Sequence, residues 1–361
     1  MKITITSQTS VNHPDAKQAI FPGVAKLDDG SLFMIFVAGS DFESSDQRLV
    51  KARSTDQGKT WTIEGYLYDT KRLDFSEPFT DCAKPTNLGD GKLIAAGYGF
   101  IRDRPDMGLS DYAEKFGRFP KNLNTVLTSD DNGKTWSGPD FIKHEYAGLE
   151  LSGPVLKCAS GRLSFFAAPF VLSAEKYEGF CYSSDDNGKT WTKRGTFFSS
   201  TDVTPWEVRS IQLPSGRIVL VIWAYDLKRQ CHLSNHLIWS DDDGATWSKP
   251  IDTGLRGQAS NLFMYKGKLG VLQARREAPK PGICLSLIEL NDDSVTVLDE
   301  AYAWDAAGLA NKQGNIETQF AALKFGQPSM VQIDVSHYVL FFWNCIDGTY
   351  RVQSWSLEIT D

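Results

Sequence analysis

The chain has 361 residues, of which 12% are aromatic, and a formal net charge of −7 at pH 7. This length and aromatic content are typical of a globular protein with a substantial buried core. The mild acidity, without a basic run between aromatic residues, argues against nucleic acid as a partner, and no apolar stretch approaches the roughly 20 residues of a membrane-spanning helix.

The amino-terminal segment and the cysteines bear on cellular location. "MKITITS" alternates apolar and polar residues, which is typical of a strand, and it lacks the apolar region and cleavage site of a signal peptide. The six cysteines form no CxxC pair and indicate reduced, mostly buried thiols rather than a disulfide framework. We therefore expect a cytoplasmic protein with no membrane partner.

One strand–turn–strand unit then recurs along the chain. Each unit turns at a Gly-x-Leu triplet or a similar one and continues into a second apolar strand. Six units are found: "FPGVAKLDDGSLFMIF", "KPTNLGDGKLIAAGY", "GPVLKCASGRLSFFA", "VRSIQLPSGRIVLVIW", "SNLFMYKGKLGVLQA" and, more loosely, "PSMVQIDVSHYVLFFW".

The first four units are each followed by the phrase Ser-x-Asp-x-Gly-x-Thr-Trp, which begins at Ser54, Ser129, Ser184 and Ser240. Asp accepts backbone hydrogen bonds and Gly adopts the positive φ that a tight turn requires. The Trp re-enters the sheet and packs against apolar neighbours. The phrase therefore predicts a β-hairpin and carries no chemistry of its own.

Regular repeats of about four strands predict an all-β fold, a six-bladed β-propeller that occupies residues 1–361 as a single domain. The last unit supplies only three clear strands, so we expect the segment Ile3 to Thr6 to complete blade six as its outer strand and to remove an open edge. Helical periodicity is confined to "SDYAEKFGRF" and "DAAGLANK" in loops.

The topology also predicts where a ligand site lies. If the repeated phrase joins the two outer strands of a blade, then the loops between the second and third strands and the links between blades surround the opposite, axial mouth. The longest of these are residues 99–124 and the link from about Leu298 to Gln327. Either is a lid or a plain insertion.

The repeated phrases, known as Asp boxes, in a six-bladed pattern resemble the sialidase (neuraminidase) superfamily, also described as BNR-repeat proteins. The resemblance covers essentially the whole chain. It is specific for the fold and less so for the activity, because Asp boxes also occur in other glycosidases, lyases and binding propellers.

The resemblance implies three arginines that bind the substrate carboxylate, a tyrosine nucleophile paired with a glutamate, and an aspartate acid/base. Glu207 in "PWEVRSIQLPSGR" matches the glutamate. Ile20, Trp223 and Gln327 stand where the first arginine, the second arginine and the tyrosine are expected. The third arginine has no clear match, although Arg275 and Arg276 end a strand that should reach the mouth.

The remaining family position, the aspartate, falls on Ser44 in "GSDFESSDQR", and three carboxylates surround it: Asp41, Glu43 and Asp46. Glu207 is the strongest candidate for proton transfer, because a carboxylate near the axis faces a desolvated pocket. Its alternative role is a salt bridge to Arg209. Asp41 and Asp46 are the candidate catalytic partners, or else ordinary surface charges.

Further residues of the inner strands, and residues near the ends of second strands, are candidate substrate contacts. Arginines can hold an anion or pair with neighbouring glutamates, and tryptophans can stack on a sugar or pack between blades. The full set of predicted substrate-binding residues is Arg209, Lys84, Asp81, Glu150, Arg275, Arg276, Trp206, Trp223 and Gln327.

The sequence thus predicts a sialidase-like glycoside hydrolase that acts on a small carbohydrate or oligosaccharide, since two carboxylates suffice for hydrolysis without a tyrosine. It is not expected to be a true sialidase, because Ile20, Trp223 and Gln327 stand in place of the implied residues. A lyase acting on uronic-acid sugars and a non-catalytic carbohydrate-binding propeller are the alternatives. No cofactor and no metal are expected, because His232 and His236 lie on a strand that would hold them about 13 Å apart.

Overall fold

The computed structural model describes residues 1–277, 279–310 and 314–361. These described residues form six antiparallel sheets, and the inner strand of each sheet packs against the inner strands of its neighbours to close a ring. This is the six-bladed propeller that the repeats predict. In blades 1 to 5 the strands follow one another in sequence from the axis outward, whereas in blade 6 the outermost strand is the amino-terminal one.

The chain begins with β1 (Lys2–Val11), which belongs to the last blade. Blade 1 consists of β2 (Gln18–Lys26), β3 (Leu32–Gly39), β4 (Arg48–Ser54) and β5 (Thr62–Tyr66). Blade 2 consists of β6 (Phe79–Gly89), β7 (Lys92–Ile101), β8 (Asn122–Ser129) and β9 (Ser137–Phe141). Blade 3 has a divided inner strand, β10 (Leu149–Glu150) and β11 (Leu156–Lys157), followed by β12 (Leu163–Pro169), β13 (Tyr177–Ser184) and β14 (Thr192–Ser200).

Blade 4 consists of β15 (Val203–Gln212), β16 (Ile218–Asp226), the short β17 (Cys231–His232), β18 (His236–Ser240) and β19 (Ile251–Asp252). Blade 5 consists of β20 (Ala259–Tyr265), β21 (Lys268–Arg275), β22 (Gly282–Leu290) and β23 (Val295–Asp305). Blade 6 consists of β24 (Phe325–Gln332), β25 (His337–Ile346), β26 (Thr349–Thr360) and β1. All six predicted second strands are present: β3, β7, β12, β16, β21 and β25.

The second strands are mostly apolar because each lies between two neighbouring blades. In β3 every residue is buried. Ile35 packs in a cluster with Leu93 of blade 2, whereas the alternate residue Phe36 packs in a cluster with Phe341 of blade 6. Successive side chains point to opposite faces of a strand, so a strand covered on both faces requires apolar residues at every position.

The ring is closed by the two ends of the sequence, as predicted. β1 pairs antiparallel with β26, and Ile3 lies opposite Ile359. The pairing extends over Lys2–Val11, which is longer than the predicted segment Ile3 to Thr6. Blade 6 therefore obtains its outer strand from the amino-terminal end, and the edge of β26 is covered.

The Asp boxes join the third strand to the fourth in blades 1 to 4. In the second box, Ser129 Oγ accepts the N–H of Gly133 at 2.9 Å, and Asp131 accepts both the N–H and the hydroxyl of Thr135 at 2.9 and 2.6 Å. Trp136 Nε1 donates to the Gly133 carbonyl at 2.9 Å. The same bonds recur in the other three boxes. The phrase therefore stabilises a turn.

We expect Asp131→Ala to lower the free energy of unfolding by about 1–2 kcal/mol, because Ser129 and Thr135 lose their acceptor at a turn that water partly reaches. The hydroxyl of Thr135 lowers the pKa of Asp131 to about 2. The stabilisation is thus fully present above the ordinary aspartate pKa near 4 and is lost as the pH falls toward 2. Urea unfolding at pH 7 and at about pH 2.5 measures both effects.

The neighbouring Asp130 provides the control. It is exposed, and Asp130→Ala removes the same charge without touching the bonds made by Asp131. Equal destabilisation by the two substitutions would mean that charge, rather than turn hydrogen bonding, is responsible. A large loss of turnover per folded molecule in Asp131→Ala would mean that the Asp boxes contribute to the site.

Two helices and the cysteines complete the description. α1 (Leu109–Phe116) and α2 (Ile316–Ala321) lie in loops, and the loop between β5 and β6 contains a short 3₁₀ helix at Thr70–Arg72. No helix in the described parts of the chain combines the length and the apolar character needed to cross a membrane. All six cysteines are free thiols, and only Cys231 is exposed.

Candidate active site

A cavity lies on the propeller axis, at the ends of the sheets opposite the Asp boxes. The volume of this cavity is about 130 Å³. Every blade contributes to its wall, because the lining includes Phe21, Asp81, Glu150, Glu207, Arg276 and Gln327 from blades 1, 2, 3, 4, 5 and 6. A concavity built by many elements of a rigid frame is a typical ligand site.

Three inner strands aim a side chain at this cavity through a β-bulge. Phe21, Glu207 and Gln327 have φ values of 56°, 47° and 46°. The pairing register shifts at each of these positions. Positive φ is strained for such residues and persists only where the surrounding structure imposes it, commonly at functional sites. The bulges therefore bring three side chains to one cavity.

Glu207 lies in the cavity wall and also contacts Arg209. Its Oε1 accepts a hydrogen bond from Gln327 Nε2 at 3.0 Å, and its Oε2 lies 3.8 Å from Arg209 Nη2. That Oε2 atom is buried and has no hydrogen-bond partner among the described residues. Both arrangements that the sequence left open for Glu207 are present: its side chain lines the cavity, and it also forms an ion pair with Arg209.

Gln327 occupies the place where the resemblance implies a tyrosine nucleophile. Its Oε1 accepts from Lys84 Nζ at 3.1 Å, and Lys84 Nζ also donates to the Phe21 carbonyl at 2.5 Å. Burial lowers the pKa of Lys84. Lys84 is therefore held behind the lining, and Gln327 links this buried amine to Glu207. An amide supplies no nucleophile, so Gln327 orients the carboxylate instead.

Glu150 is the nearest carboxyl to the Glu207 backbone. Its Oε2 accepts the N–H of Glu207 at 3.0 Å. Burial, and then the negative charge of Glu207, raise the pKa of Glu150 to about 8. At neutral pH Glu150 therefore holds a proton that it can donate to a bound substrate.

Asp81 is a second buried carboxyl in the lining. Its Oδ2 accepts from the Tyr68 hydroxyl at 2.9 Å. Burial raises the pKa of Asp81 to about 7. Asp81 is thus a further group that can exchange a proton near neutral pH. It belongs to blade 2, so the blade that carries Glu150 lies between it and blade 4.

The first-blade loop presents Glu43 to the cavity. Glu43 accepts the N–H and hydroxyl of Ser110 at the start of α1, at 2.7 and 2.9 Å, and burial raises its pKa. Asp46 Oδ1 accepts from Ser44 Oγ at 2.5 Å, and Asp41 Oδ1 accepts the N–H of the next residue at 2.7 Å. Asp41 and Asp46 therefore fold the loop and do not border the cavity. Their predicted catalytic role stays a prediction.

Arg276 is the cation that borders the cavity. Its Nε donates to the Phe325 carbonyl at 2.8 Å, and its guanidinium lies 5.8 Å from the ring centre of Trp223. Nη1 is buried and has no hydrogen-bond partner in the described ranges. Burial lowers the pKa of Arg276 to about 10, so it remains charged at neutral pH.

The other two predicted arginines lie outside the lining. Arg209 Nη1 donates to Ser152 Oγ at 2.6 Å, behind Glu207. Arg275 points to the outer strands of blade 5, where its Nη1 donates to Glu300 at 2.9 Å. The structure therefore brings Arg276 to the cavity, keeps Arg209 as the partner of Glu207, and places Arg275 away from both.

Trp206 and Trp223 form one aromatic wall, with ring centres 5.5 Å apart. Phe320 of α2 packs on both at 5.6 and 5.9 Å. Trp223 Nε1 donates to His232 Nδ1 at 3.0 Å, and His232 Nε2 lies 2.7 Å from Gln319 Oε1 of α2. His232 is therefore engaged in holding the link between blades 5 and 6 against the wall. Among the residues that the structure covers, no group of three His, Cys, Asp or Glu side chains forms a metal site.

The two long loops meet at the cavity. α1 lies between β7 and β8, where the sequence predicts helical character, and it contacts α2 in the link before β24. Leu109 and Phe320 from these loops line the cavity. The other predicted helical stretch, residues 305–312, has its last two residues outside the described ranges and is not helical in the rest. A lid motion of either loop stays a prediction.

Sequence reasoning missed the bulges, although proline gave a signal for them. Phe21 and Gln327 each precede a proline, and another proline lies two residues before Glu207. Proline inside a sheet is found at edges or bulges. The structure buries Ile20, which stands where the resemblance implies an arginine, in the core and points Phe21 into the cavity. That position carries no cation in either register.

The fold is a six-bladed propeller with an axial cavity, and it is similar to the fold of sialidases of known structure. No family model matches the chain, and no curated protein matches it. A protein of unknown function from Dyadobacter fermentans has a TM-score of 0.76 at 21% identity, over 99% of this chain and 99% of its own.

Two sialidases are similar in structure. A Hadza microbial sialidase has a TM-score of 0.69 at 16% identity, over 98% of this chain and 68% of its own. The Trypanosoma rangeli sialidase in complex with the inhibitor DANA has a TM-score of 0.63 at 15% identity, over 97% of this chain. The present chain spans 58% of that sialidase. At these identities the likeness concerns the fold.

Proposed function

We propose that the protein is a glycoside hydrolase that binds a carbohydrate in the axial cavity and differs from sialidases in its chemistry. The observation that carries the proposal is the Glu207–Glu150 pair: the Glu207 N–H donates to Glu150 Oε2 at 3.0 Å in the wall of one cavity. Pairs of carboxyl groups with separated protonation states are the usual machinery of glycoside hydrolysis.

The roles follow from the environment of each group. Glu150, whose pKa burial and the Glu207 charge raise to about 8, donates its proton to the glycosidic oxygen as the bond to the leaving group breaks. Glu207 then acts as the second carboxylate, either by attacking the anomeric carbon or by taking a proton from the attacking water. Gln327 and Arg209 hold Glu207 in place. NMR of the first product anomer distinguishes retention from inversion.

The substituted family positions argue against sialidase chemistry. Phe21 and Trp223 provide no cation for a carboxylate, and Gln327 provides no nucleophile. A lyase on uronic-acid sugars keeps one supporting observation, the unpartnered Nη1 of Arg276, which could neutralise a carboxylate. A cytosolic location, a small carbohydrate as the partner, and an acid/base role for Asp41 or Asp46 remain sequence predictions that accompany this proposal.

We expect hydrolysis of a panel of alkyl glycosides to slow as the pH rises through about 8, because Glu150 then loses its proton. Glu150→Gln removes this alkaline limb. Its rate on alkyl glycosides should fall by roughly 10²-fold, with a smaller loss on nitrophenyl glycosides, since nitrophenolate leaves without protonation.

Asp81→Asn is the matched comparison, because Asp81 is the other lining carboxyl whose pKa burial raises, to about 7. Glu150 is not the acid if Glu150→Gln keeps the alkaline limb. The same follows if its hydrolysis rate falls equally on alkyl and nitrophenyl glycosides. If Asp81→Asn then shows the selective loss, Asp81 takes the role. Sugar binding without turnover of any glycoside would favour the binding propeller.

A further inference from the structure

The walls of the axial cavity are mostly aromatic. Trp206, Trp223 and Phe320 form one wall. A second wall comes from blades 2 and 3, where Phe170 lies 4.4 Å from Phe119 and 5.4 Å from Phe100, ring centre to ring centre. A third comes from blade 1, where Phe21 and Phe42 lie 6.2 Å apart. Such walls favour a ligand with broad apolar faces.

The charged groups of the lining show how the cavity treats charge. Burial raises the pKa values of Asp81, Glu150 and Glu43, and it lowers the pKa of Arg276. In all four the largest cause is the loss of water, which penalises negative and positive forms alike. A ligand with a charge of either sign would likewise lose water on entering this cavity, which costs free energy.

The cations near the cavity are also already engaged. Lys84 Nζ donates to a backbone carbonyl and to Gln327 Oε1 at 3.1 Å, and Arg209 donates to Ser152 at 2.6 Å and lies 3.8 Å from Glu207. Neither borders the cavity. An anionic sugar would therefore meet one guanidinium, that of Arg276, beside the carboxyl groups of four lining residues: Glu43, Asp81, Glu150 and Glu207.

From this arrangement we propose that the sugar bound in the cavity is uncharged, without a carboxylate, sulfate, phosphate or amine, and that it is held by its apolar ring face between the aromatic walls. The inference rests on the proposed function, since it names the substrate class of the same site. It separates this protein from propellers that select acidic sugars by clusters of arginine.

The test uses pairs of sugars that differ only in charge. Methyl glucoside, galactoside and mannoside are each compared with the methyl glycoside of the corresponding uronic acid, and glucosamine and N-acetylneuraminic acid are added as charged probes. Calorimetric titration at pH 7 gives Kd for the wild-type protein. We expect at least one uncharged member to bind at least about tenfold more tightly than its acidic partner, since like charges brought together in a desolvated site are costly.

Charge variants test the physical cause. Glu207→Gln removes one negative charge from the wall. For a sugar pair that binds, it should therefore narrow the gap in Kd between the acidic and the uncharged member. Glu289→Gln is the matched control, because Glu289 is exposed on blade 5 and leaves the gap unchanged. A gap that Glu207→Gln does not narrow would show that charge in the cavity is not what discriminates, which overturns the explanation.

Tighter binding of an acidic member overturns the proposal of an uncharged sugar. Loss of that binding in Arg276→Met would then identify Arg276 as the anion site and favour the lyase. Binding of uncharged sugars without hydrolysis supports the substrate class and contradicts the hydrolase. Failure of every sugar to bind contradicts both proposals together.

Discussion

Replacement of Glu207 by glutamine is expected to reduce turnover on a glycoside substrate by roughly 10²-fold or more, while Kd for the substrate changes little. Glutamine keeps the shape of the side chain and the hydrogen bond from Gln327, after an amide flip, but it can neither attack the anomeric carbon nor take a proton from water. Initial rates and calorimetric Kd values on the same preparation separate the two effects.

The exposed Glu289→Gln variant is the control here also, and circular dichroism with a thermal melt establishes that both variants are folded. Retained turnover in Glu207→Gln would remove this residue from the mechanism. A loss of affinity as large as the loss of turnover would assign Glu207 to binding, because only interactions made in the transition state lower turnover selectively.

A methyl group at Gly97 is expected to destabilise the protein by at least about 3 kcal/mol and to leave much of it aggregated. Gly97 lies on β7 opposite Ala83 of β6. A Cβ atom there would lie 1.8 Å from the Cys82 carbonyl oxygen and 2.7 Å from Ala83 Cα. Both contacts are with backbone, so no side chain can rotate to relieve them. Urea unfolding of Gly97→Ala, or its yield in the soluble fraction, measures the effect.

Gly216→Ala provides the comparison. Gly216 has a φ of 92°, and a Cβ atom there meets nothing within 4 Å. Its substitution therefore carries only the strain of a left-handed conformation, about 1–2 kcal/mol. If Gly97→Ala were no worse than Gly216→Ala, β6 could shift away from β7. Asp81, the neighbour of Cys82, would then move relative to the cavity, and the alkaline pH dependence assigned to buried carboxyls would change with it.

The fold was predictable because its signals are local. Each Asp box closes its own turn through bonds between residues at most four positions apart, as Ser129 and Gly133 show. Each second strand is mostly apolar, since neighbouring blades cover both faces, and this appears in the sequence as a run of apolar residues. Closure by the amino-terminal strand followed from counting strands in the last unit.

The site was less predictable because its geometry depends on backbone detail. A polar loop with three carboxylates does not reveal that Glu43 turns inward while Asp41 and Asp46 bind the loop backbone and Ser44. A bulge shifts the register by one residue and exchanges the faces of a strand, so Phe21 rather than Ile20 reaches the cavity. Glu207 does line the cavity, at the position where the resemblance implies a glutamate.

The pairing of β1 with β26 has a consequence for how the chain acquires its structure. Ile3 and Ile359 are partners in one ladder although almost the whole sequence separates them. During synthesis β1 emerges long before β26 and has no partner until β26 follows, so five blades can assemble around an axis that is still open. Contacts of such long range form late, because closing a long loop costs entropy before it gains contacts. The axial cavity therefore takes its final shape only when the last strand arrives.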